Sequence, residues 1–448
     1  MILSDGAKTL LEQLNRQGHE AFVVGGCVRD MLMGITPHDY DITTSATPDE
    51  VKRVFENYRV IETGLKHGTV TVMADGEPYE ITTYRIESTY SDSRHPDGVV
   101  FTRSLTEDLA RRDFTVNAIA YNPNVGIVDP FEGQKDIQKK FLRCVGNPRE
   151  RFSEDALRIL RLIRFASVLG FKIDTETADA ALSLKEKLIH VSAERVQSEL
   201  VKLLCGKSAG KILMEYCEIL SAMIPELLPM KGFDQKNHHH IYDILTHTAK
   251  AVDAVRCEKA LRLGALFHDI GKPSVFSLDS DGVGHFYGHA SVGYQMTEEI
   301  LTRLKFDNAT KNTVTHLVKW HDIQIEANEK GVKRALGKMT PEFFFMLLAL
   351  KRADNLAQNP LYSDRQAYYD TLESLAKDIL SQKVCFSMKD LAVNGGDLMA
   401  IGIPAGKKMG LILKQLLDDV INEQIPNEKD LLLNRAKEIE KDEQYGTE

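Results

Sequence analysis

The sequence predicts a multi-domain α+β protein, with a mixed sheet in its N-terminal third and helices through the rest. Three observations predict it. At 448 residues the chain exceeds what one hydrophobic core usually organises, and this length corresponds to roughly three domains. Short β-branched and alternating runs are confined to the part before about residue 150, after which apolar residues recur at helical spacing. Nine of the 14 histidines fall between residues 238 and 321, inside the helical part.

Taken in order, residues 3–17 have helical apolar spacing and end at Gly18, a residue suited to the left-handed turn after a helix. AFVV (21–24) reads as a buried strand that runs into Gly25-Gly26 and a helix, VRDMLMG. DYDITTS, GTVTVMA and PYEITTYR read as strands, being β-branched or alternating. RFSEDALRILRLIRFASVLG (151–170) reads as one helix with a stripe of Ala156, Ile159, Leu160 and Ile163, stopped by Gly170. A turn-like stretch at 225–237 separates it from the histidine-rich part. Residues 357–448 read as helical, acidic at the end, with no chemical constellation and a frayed terminus.

Composition sets bounds. Apolar residues at 43% and charged residues at 27% are ordinary globular values, and no stretch is apolar for long enough to span a bilayer. The start, MILSDGAKTL, is too polar for a secretory leader, so a soluble, cytoplasmic protein is expected. The cysteines at 27, 144, 205, 217, 257 and 385 are scattered, which speaks for core thiols and against a disulfide framework or structural zinc. A net charge of −9 confines any polyanion-binding surface to local patches. Residues 103–164, with twelve Lys or Arg against nine Asp or Glu, are one such patch or simply a solvated face.

Asp39 and Asp41 flank Tyr40 in a predicted strand, and a two-residue period puts both carboxylates on one face. Converging oxygens suit Mg²⁺, whose remaining ligands come from water and phosphate. Gly25-Gly26 ahead of a helix brings backbone N–H groups toward phosphate oxygens, with Arg29 one turn on. Either pattern alone reads as structural. The order strand, Gly-Gly, helix, Asp-x-Asp favours chemistry.

On these residues the chain resembles class II nucleotidyltransferases of the polymerase-beta superfamily, comprising CCA-adding enzymes and bacterial poly(A) polymerases. Five blocks carry the resemblance between residue 22 and about residue 230: VVGGCVRDMLMGITPHDYDI, RRDFTVNAIAYNP, DPFEGQKDI, RFSEDALRILRLIRFA and SAERVQSEL. It implies that Gly26 and Arg29 hold the triphosphate and that Asp39 and Asp41 hold Mg²⁺. It further implies that Arg112, Asp155, Arg158, Arg161 and Arg164 line the nucleotide pocket. Glu80 is either the third carboxylate of the superfamily or an exposed strand glutamate. Catalysis would then rest on metal activation of the RNA 3′-hydroxyl and charge neutralisation on pyrophosphate, with no general base required.

Asp155 and Arg158, three apart on the predicted helix, are expected to present one acceptor and one donor edge. Cytosine and adenine each offer an amino donor beside a ring-nitrogen acceptor, whereas uracil and guanine leave buried polar groups unpaired, at roughly 1–3 kcal/mol each. In isolation the pair reads as an ion pair worth about 0.2–0.5 kcal/mol; the RRDFT block favours base reading. The turn-rich segment between Tyr84 and Val99 is expected to be a mobile loop, at the place associated in the family with switching from C to A addition.

LRLGALFHDIGKP places His268 and Asp269 after an apolar helix, with His247 upstream and Asp354 downstream. This resembles the HD phosphohydrolase superfamily, which implies those four residues as ligands of a divalent metal; the ligand types suit several metals. His289 and His321 match positions that hold a second metal or contact phosphate in some members, with His316 the alternative to His321. In the run His238, His239, His240, the last is placed to support the site. The domain then either hydrolyses phosphate esters or serves as a scaffold.

The resemblances divide the chain into a polymerase-beta-like nucleotidyltransferase head with a mixed sheet (1–145) and an all-α neck and body that reads the nucleotide and binds RNA (146–235). An all-α HD domain (236–356) and a helical tail expected to bind RNA (357–448) follow. The expected reaction is addition of C, C and A to a tRNA 3′ end from CTP and ATP. The alternatives are addition of part of that triplet, poly(A) synthesis, and a phosphohydrolase with an RNA-binding head. The acidic balance disfavours poly(A) synthesis, and Asp39, Asp41 and Arg112 disfavour the phosphohydrolase. A non-enzymatic RNA-binding protein explains neither ligand set.

Overall fold

The structure, a computed structural model, describes all residues except 63, 88–98, 239, 360, 362–364, 383 and 446–448, and only the backbone of 87, 99 and 442–445. The expected loop between Tyr84 and Val99 lies largely outside the described residues, as does His239. The chain forms two compact units, residues 1–231 with 303–306, and residues 232–302 with 307–448.

The first unit opens with α1 (Asp5–Arg16), started by the Ser4 side chain accepting from the Ala7 N–H at 3.2 Å and burying Leu10, Leu11 and Leu14. Strands β1 (Ala21–Val24), β2 (Asp41–Thr44), β3 (Arg59–Ile61), β4 (Thr69–Ala74) and β5 (Glu77–Thr83) follow. Between them lie α2 (Gly26–Leu32) and α3 (Pro48–Val54), and after them the hairpin β6 (Arg85–Glu87) and β7 (Val99–Phe101). Helix α4 (Leu105–Ala110), β8 (Ala120–Asn122), β9 (Gly126–Val128) and α5 (Gly133–Lys139) complete the head. Its seven-stranded sheet has the order β3-β4-β5-β2-β1-β8-β9 and is mixed, because β2 pairs with β5 in parallel while the other pairs are antiparallel. Strand β1 is buried along its whole length, as its unbroken apolar run requires. Phe22, Val24, Tyr84, Leu105, Leu109 and Val145 form a core beneath it.

Two local expectations need correction. The strand carrying the paired aspartates begins at Asp41, so Asp39 and Tyr40 lie just ahead of it. The cause is the neighbouring strand: Val24 pairs with Asp41, and Gly25, at φ +82°, then turns the chain into α2, leaving positions 39 and 40 without a partner on that side. The second correction concerns residues 151–170, which form α6 (Pro148–Glu154) and α7 (Leu157–Leu169) rather than one helix. Asp155 interrupts them at φ −136°, ψ 104°, and its side chain accepts the Leu157 N–H at 3.0 Å, a bond that competes with helical backbone pairing. Helix α8 (Thr175–Ser183), α9 (Ala193–Leu204), α10 (Ala209–Glu215) and α11 (Cys217–Ser221) close the unit, with α7 packed on α9.

Among the described residues the second unit is helical apart from one short hairpin: α12 (Ile244–Ala254), α13 (Lys259–Phe267), α14 (His289–Arg303), α15 (Asn308–Trp320), α16 (Glu329–Lys338) and α17 (Pro341–Leu356). Helices α18 (Gln366–Ser381), α19 (Gly395–Ala400), α20 (Lys407–Ile421) and α21 (Lys429–Tyr445) follow. Helices α12, α13 and α17 pack against one another, and α15 lies against α13. Val332, Leu336, Phe344 and Leu348 share a core with Leu372 and Ile379 of α18, so that core runs past residue 357. A separate cluster, including Val393, Leu398, Ile412 and Leu432, supports the last helices. Among the described residues, no helix is long and apolar enough to cross a membrane.

Candidate active site and candidate metal centre

The first site lies at the end of the sheet where β1 stops. Asp41 pairs in register with Glu80 on the parallel neighbour β5, so the two side chains share a face. Asp41 keeps solvent exposure, but partial desolvation of its carboxyl by the surrounding protein, offset by Arg112 and reinforced by the charges of Asp39 and Glu80, raises its pKa to about 6. Carboxylates carried on one face at the end of the sheet suit a divalent cation by ligand type. A cavity of about 790 Å³, lined by Ile35, Pro37, Tyr40 and Tyr79 among others, opens beside Asp39.

Gly25 is required on two counts, its positive φ and a guanidinium nitrogen of Arg112 only 3.0 Å from where a Cβ would stand. Arg29 is nearly buried, donating to Asn117 Oδ1 at 2.7 Å and to Asp30 Oδ1 at 2.9 Å. A guanidinium nitrogen of Arg29 lies 3.6 Å from a Cβ placed on Gly26, so these two expected triphosphate residues adjoin.

Asp113 joins this end of the sheet to α7, a role the sequence reading did not assign. It accepts from Asn117 Nδ2 at 3.1 Å and from Arg161 Nε at 2.8 Å. Burial alone would raise its pKa, but Arg161 and the hydrogen bonds overcome that and hold it below the ordinary carboxylate value. Arg164 pairs with Glu199 of α9 at 2.8 Å. The guanidinium groups of Arg29, Arg161 and Arg164 lie 5.3, 5.4 and 3.5 Å from the centre of the Phe165 ring.

Asp155 and Arg158 each have partners beyond the expected shared edge. Arg158 is buried and donates to Glu154 Oε2 at 2.7 Å, the Arg151 carbonyl at 3.2 Å and the Arg111 carbonyl at 3.1 Å. Asp155 meets Arg195 of α9 at 3.0 Å. Across the break between α6 and α7 the Arg158 N–H donates to the Asp155 carbonyl at 3.0 Å, so the two residues stay one turn apart. Arg195, in the SAERVQSEL block, could not be linked to Asp155 by sequence because the contact spans 40 residues.

In the second unit, the end of α13 delivers His268 and Asp269, α12 delivers His247, α17 delivers Asp354, and α14 and α15 deliver His289 and His321. These residues form two adjoining groups, His247 with His268 and Asp354, and Asp269 with His289 and His321. His316 lies outside both and packs edge-on against Tyr294 and Trp320.

The tautomers are fixed from behind. Nδ1 of His247 meets the Ala357 carbonyl at 3.2 Å, His268 that of Ala265 at 2.8 Å, His289 that of Phe286 at 2.9 Å, and His321 that of Val318 at 2.6 Å. With the Nδ1 protons so engaged, the Nε2 lone pairs point inward, and they meet in pairs at 3.1 Å, His247 with His268 and His289 with His321. Four inward Nε2 atoms with the Asp269 and Asp354 carboxylates in reach make a donor set that fits divalent metal.

Asp269 spans the two groups, with Oδ2 3.4 and 3.3 Å from His247 and His268 and Oδ1 3.7 Å from both His289 and His321. His268 and Lys272 hold its pKa well below the ordinary value against the opposing effect of burial. Lys272, which sequence reading passed over, reaches Asp269 Oδ2 at 2.7 Å and Gln235 Oε1 at 2.9 Å. His240 sits edge-on to His247, and burial together with the Lys272 charge pushes its pKa down to about 3. A cavity of about 310 Å³ opens here, lined by His240, Lys272, Asp354 and Tyr287 among others.

Comparison with known proteins agrees with this architecture. Residues 21–143 match the poly A polymerase head domain, 170–231 the probable RNA and SrmB-binding site of polymerase A, and 287–436 a putative tRNA nucleotidyltransferase domain 2. The CCA-adding enzyme of Lactiplantibacillus plantarum is 35% identical, over 97% of this chain and 96% of the relative. That of Staphylococcus haemolyticus is 34% identical, over 97% and 98%. The crystal structure of the Bacillus stearothermophilus CCA-adding enzyme in complex with CTP superposes with a TM-score of 0.74 at 29% identity, covering 98% of each chain. With the paired carboxylates, the Arg112 and Arg29 positions and near-full-length likeness to these relatives in agreement, the chain belongs to the CCA-adding family of bacterial nucleotidyltransferases.

Proposed function

We propose that this protein adds C, C and A to the 3′ end of tRNA without a template, using CTP and ATP, in the cytoplasm. The observation that carries the reading is Asp41 in register with Glu80 beside Asp39, facing Arg112, in a chain alike along its length to CCA-adding enzymes. Asp39 and Asp41 would hold Mg²⁺, with Glu80 as a third carboxylate at its side. Bound Mg²⁺ supplies activation of the 3′-hydroxyl and neutralisation of the departing pyrophosphate. Gly26, Arg29 and Arg112 bind the triphosphate, and Arg161 and Arg164 complete the pocket from α7. Asp155, held by Arg195, accepts from the exocyclic amino group of C or A, and Arg158, braced by Glu154, donates to the ring nitrogen beside it.

Purified protein given tRNA lacking its 3′ end, CTP, ATP and Mg²⁺ is expected to extend it by a short tail of fixed length, resolved on a sequencing gel. Long adenosine tails from ATP alone would establish poly(A) synthesis instead, and a tail stopping within the triplet would establish partial addition.

The inward-facing Nε2 atoms of His247, His268, His289 and His321 support a second reading, a metal-dependent phosphohydrolase in the HD-type domain. Its ligands are His247, His268, Asp269 and Asp354, with Asp269 shared toward His289 and His321. Bound metal there supplies a water activated for attack on phosphorus. Lys272 neutralises charge on that phosphate. Hydrolysis of p-nitrophenyl phosphate across a panel of divalent ions tests this; no hydrolysis with any ion leaves the domain as a scaffold.

A further inference from the structure

We propose that Asp108 is a positioning residue for nucleotidyl transfer, acting through Arg112 to keep that guanidinium on the nucleotide side of the site and off the metal-binding carboxylates. The proposal rests on the transferase reading above.

Asp108 stands on α4, and its carboxylate is wholly buried. Every oxygen is committed. Oδ2 accepts from Thr43 Oγ1 at 2.9 Å; Oδ1 accepts from Arg111 Nε at 2.9 Å and from the Arg85 N–H at 3.3 Å; Arg112 Nη2 lies 3.8 Å from Oδ2. Thr43 is two residues beyond Asp41 on β2, and its register partner Thr82 is two beyond Glu80 on β5. By the period of a strand, Asp41, Thr43, Glu80 and Thr82 share one face of the sheet. Asp108 is therefore fastened to the same face that carries the candidate metal ligands, one step further along it.

Three carboxylates attract Arg112, the Arg161-paired Asp113 and two others. Asp108 is one, and Asp41, whose carboxyl feels the Arg112 charge, is the other. A guanidinium drawn fully onto Asp41 would compete with a divalent cation for that carboxylate and turn its donors away from incoming phosphate. The buried charge of Asp108, together with the close approach of Arg112 to Gly25, fixes the arginine between these extremes. Among the described residues Arg112 Nε is buried with no hydrogen-bond partner, which leaves a donor available within the site. Arg111 takes the remaining approach to the Asp108 carboxylate, so Arg112 is held at longer range and can respond to a ligand.

The test is Asp108→Asn, which keeps the shape and removes the charge. CTP affinity without primer, by equilibrium dialysis at fixed Mg²⁺, and the Mg²⁺ half-saturation for tRNA extension are measured alongside the melting temperature. The loss of one charge-assisted contact predicts that the CTP dissociation constant and the Mg²⁺ midpoint each rise about tenfold, while extension at saturating CTP and Mg²⁺ falls less. Asp108→Asn added to Arg112→Met should then change CTP affinity no further than Arg112→Met alone, because the path runs through Arg112. A lower melting temperature with CTP affinity and Mg²⁺ midpoint unchanged, or additive losses in the double variant, overturns the proposal. If Asp108→Asn does not fold, Thr43→Val, which removes one donor to the carboxylate, is read in its place; a CTP affinity within error of wild type overturns the proposal. A wild-type chain that binds no CTP overturns both this proposal and the transferase reading.

Discussion

Asp113 and Arg195 hold two residues of the candidate nucleotide pocket, and each acts through a partner distant in sequence. Asp113 orients Arg161 and, through Asn117, reaches Arg29; Arg195 holds Asp155. Replacing Asp155 by Ala is expected to raise kcat/KM for UTP and GTP relative to CTP by roughly tenfold to a hundredfold, the penalty of an unpaired polar edge being lost. Single-nucleotide addition with each triphosphate measures it, and unchanged selectivity would remove Asp155 from base reading. The cysteines give a test of burial. Burial, with the nearby Asp390 charge, pushes the Cys385 thiol from its ordinary 9.0 up to about 11. Its folded pKa is raised, so between pH 9 and 11 the unfolded chain releases a proton that the folded chain keeps, and stability falls as pH rises. Denaturation midpoints across that window should decline less steeply in Cys385→Ala. Most of the candidate site residues could be named at this scale because each sits in a short block whose residue types already imply charge or metal chemistry. Asp108, Asp113, Arg195 and Lys272 were not, since a charged residue declares its role only through what it touches.

Helix starts and stops account for much of the geometry of the elements. Asp243 caps α12, the helix that presents His247, by accepting the Thr246 N–H at 2.8 Å, and the Gly232 N–H at 2.5 Å binds the same carboxylate. Asp243→Ala is expected to cost about 1 kcal/mol, read as a shift in the denaturant midpoint. It should also weaken metal binding, measured by calorimetry, because the first turn of α12 sets where His247 stands. The break between α6 and α7 carries the opposite lesson. Apolar spacing through residues 151–170 is continuous, and periodicity alone cannot register that the Asp155 side chain offers Leu157 a competing hydrogen bond. In the same way, the start of β2 at Asp41 is decided by where its neighbour β1 ends.

At the scale of the molecule, the two sites belong to different compact units, each with its own core and its own ligand set. Asp41→Ala is expected to lower tRNA extension by about a thousandfold or more while leaving phosphate-ester hydrolysis intact, and His268→Ala to do the reverse. Assaying both activities on both variants checks it, and loss of both in either variant would count against independent sites.

The sequence by itself determined that this is an α+β transferase head followed by helices, and which Asp, Arg and His residues are the candidates for its chemistry. Those features reside in local runs, in a period of two or near four, and in residue types with restricted chemistry. Only the tertiary structure decided that Asp41 stands beside Glu80, that Asp155 answers to Arg195, and that Asp269 faces two groups of ligands at once. Each is a contact between segments far apart in the chain. Strand register and helix packing create such contacts, and no local pattern encodes them.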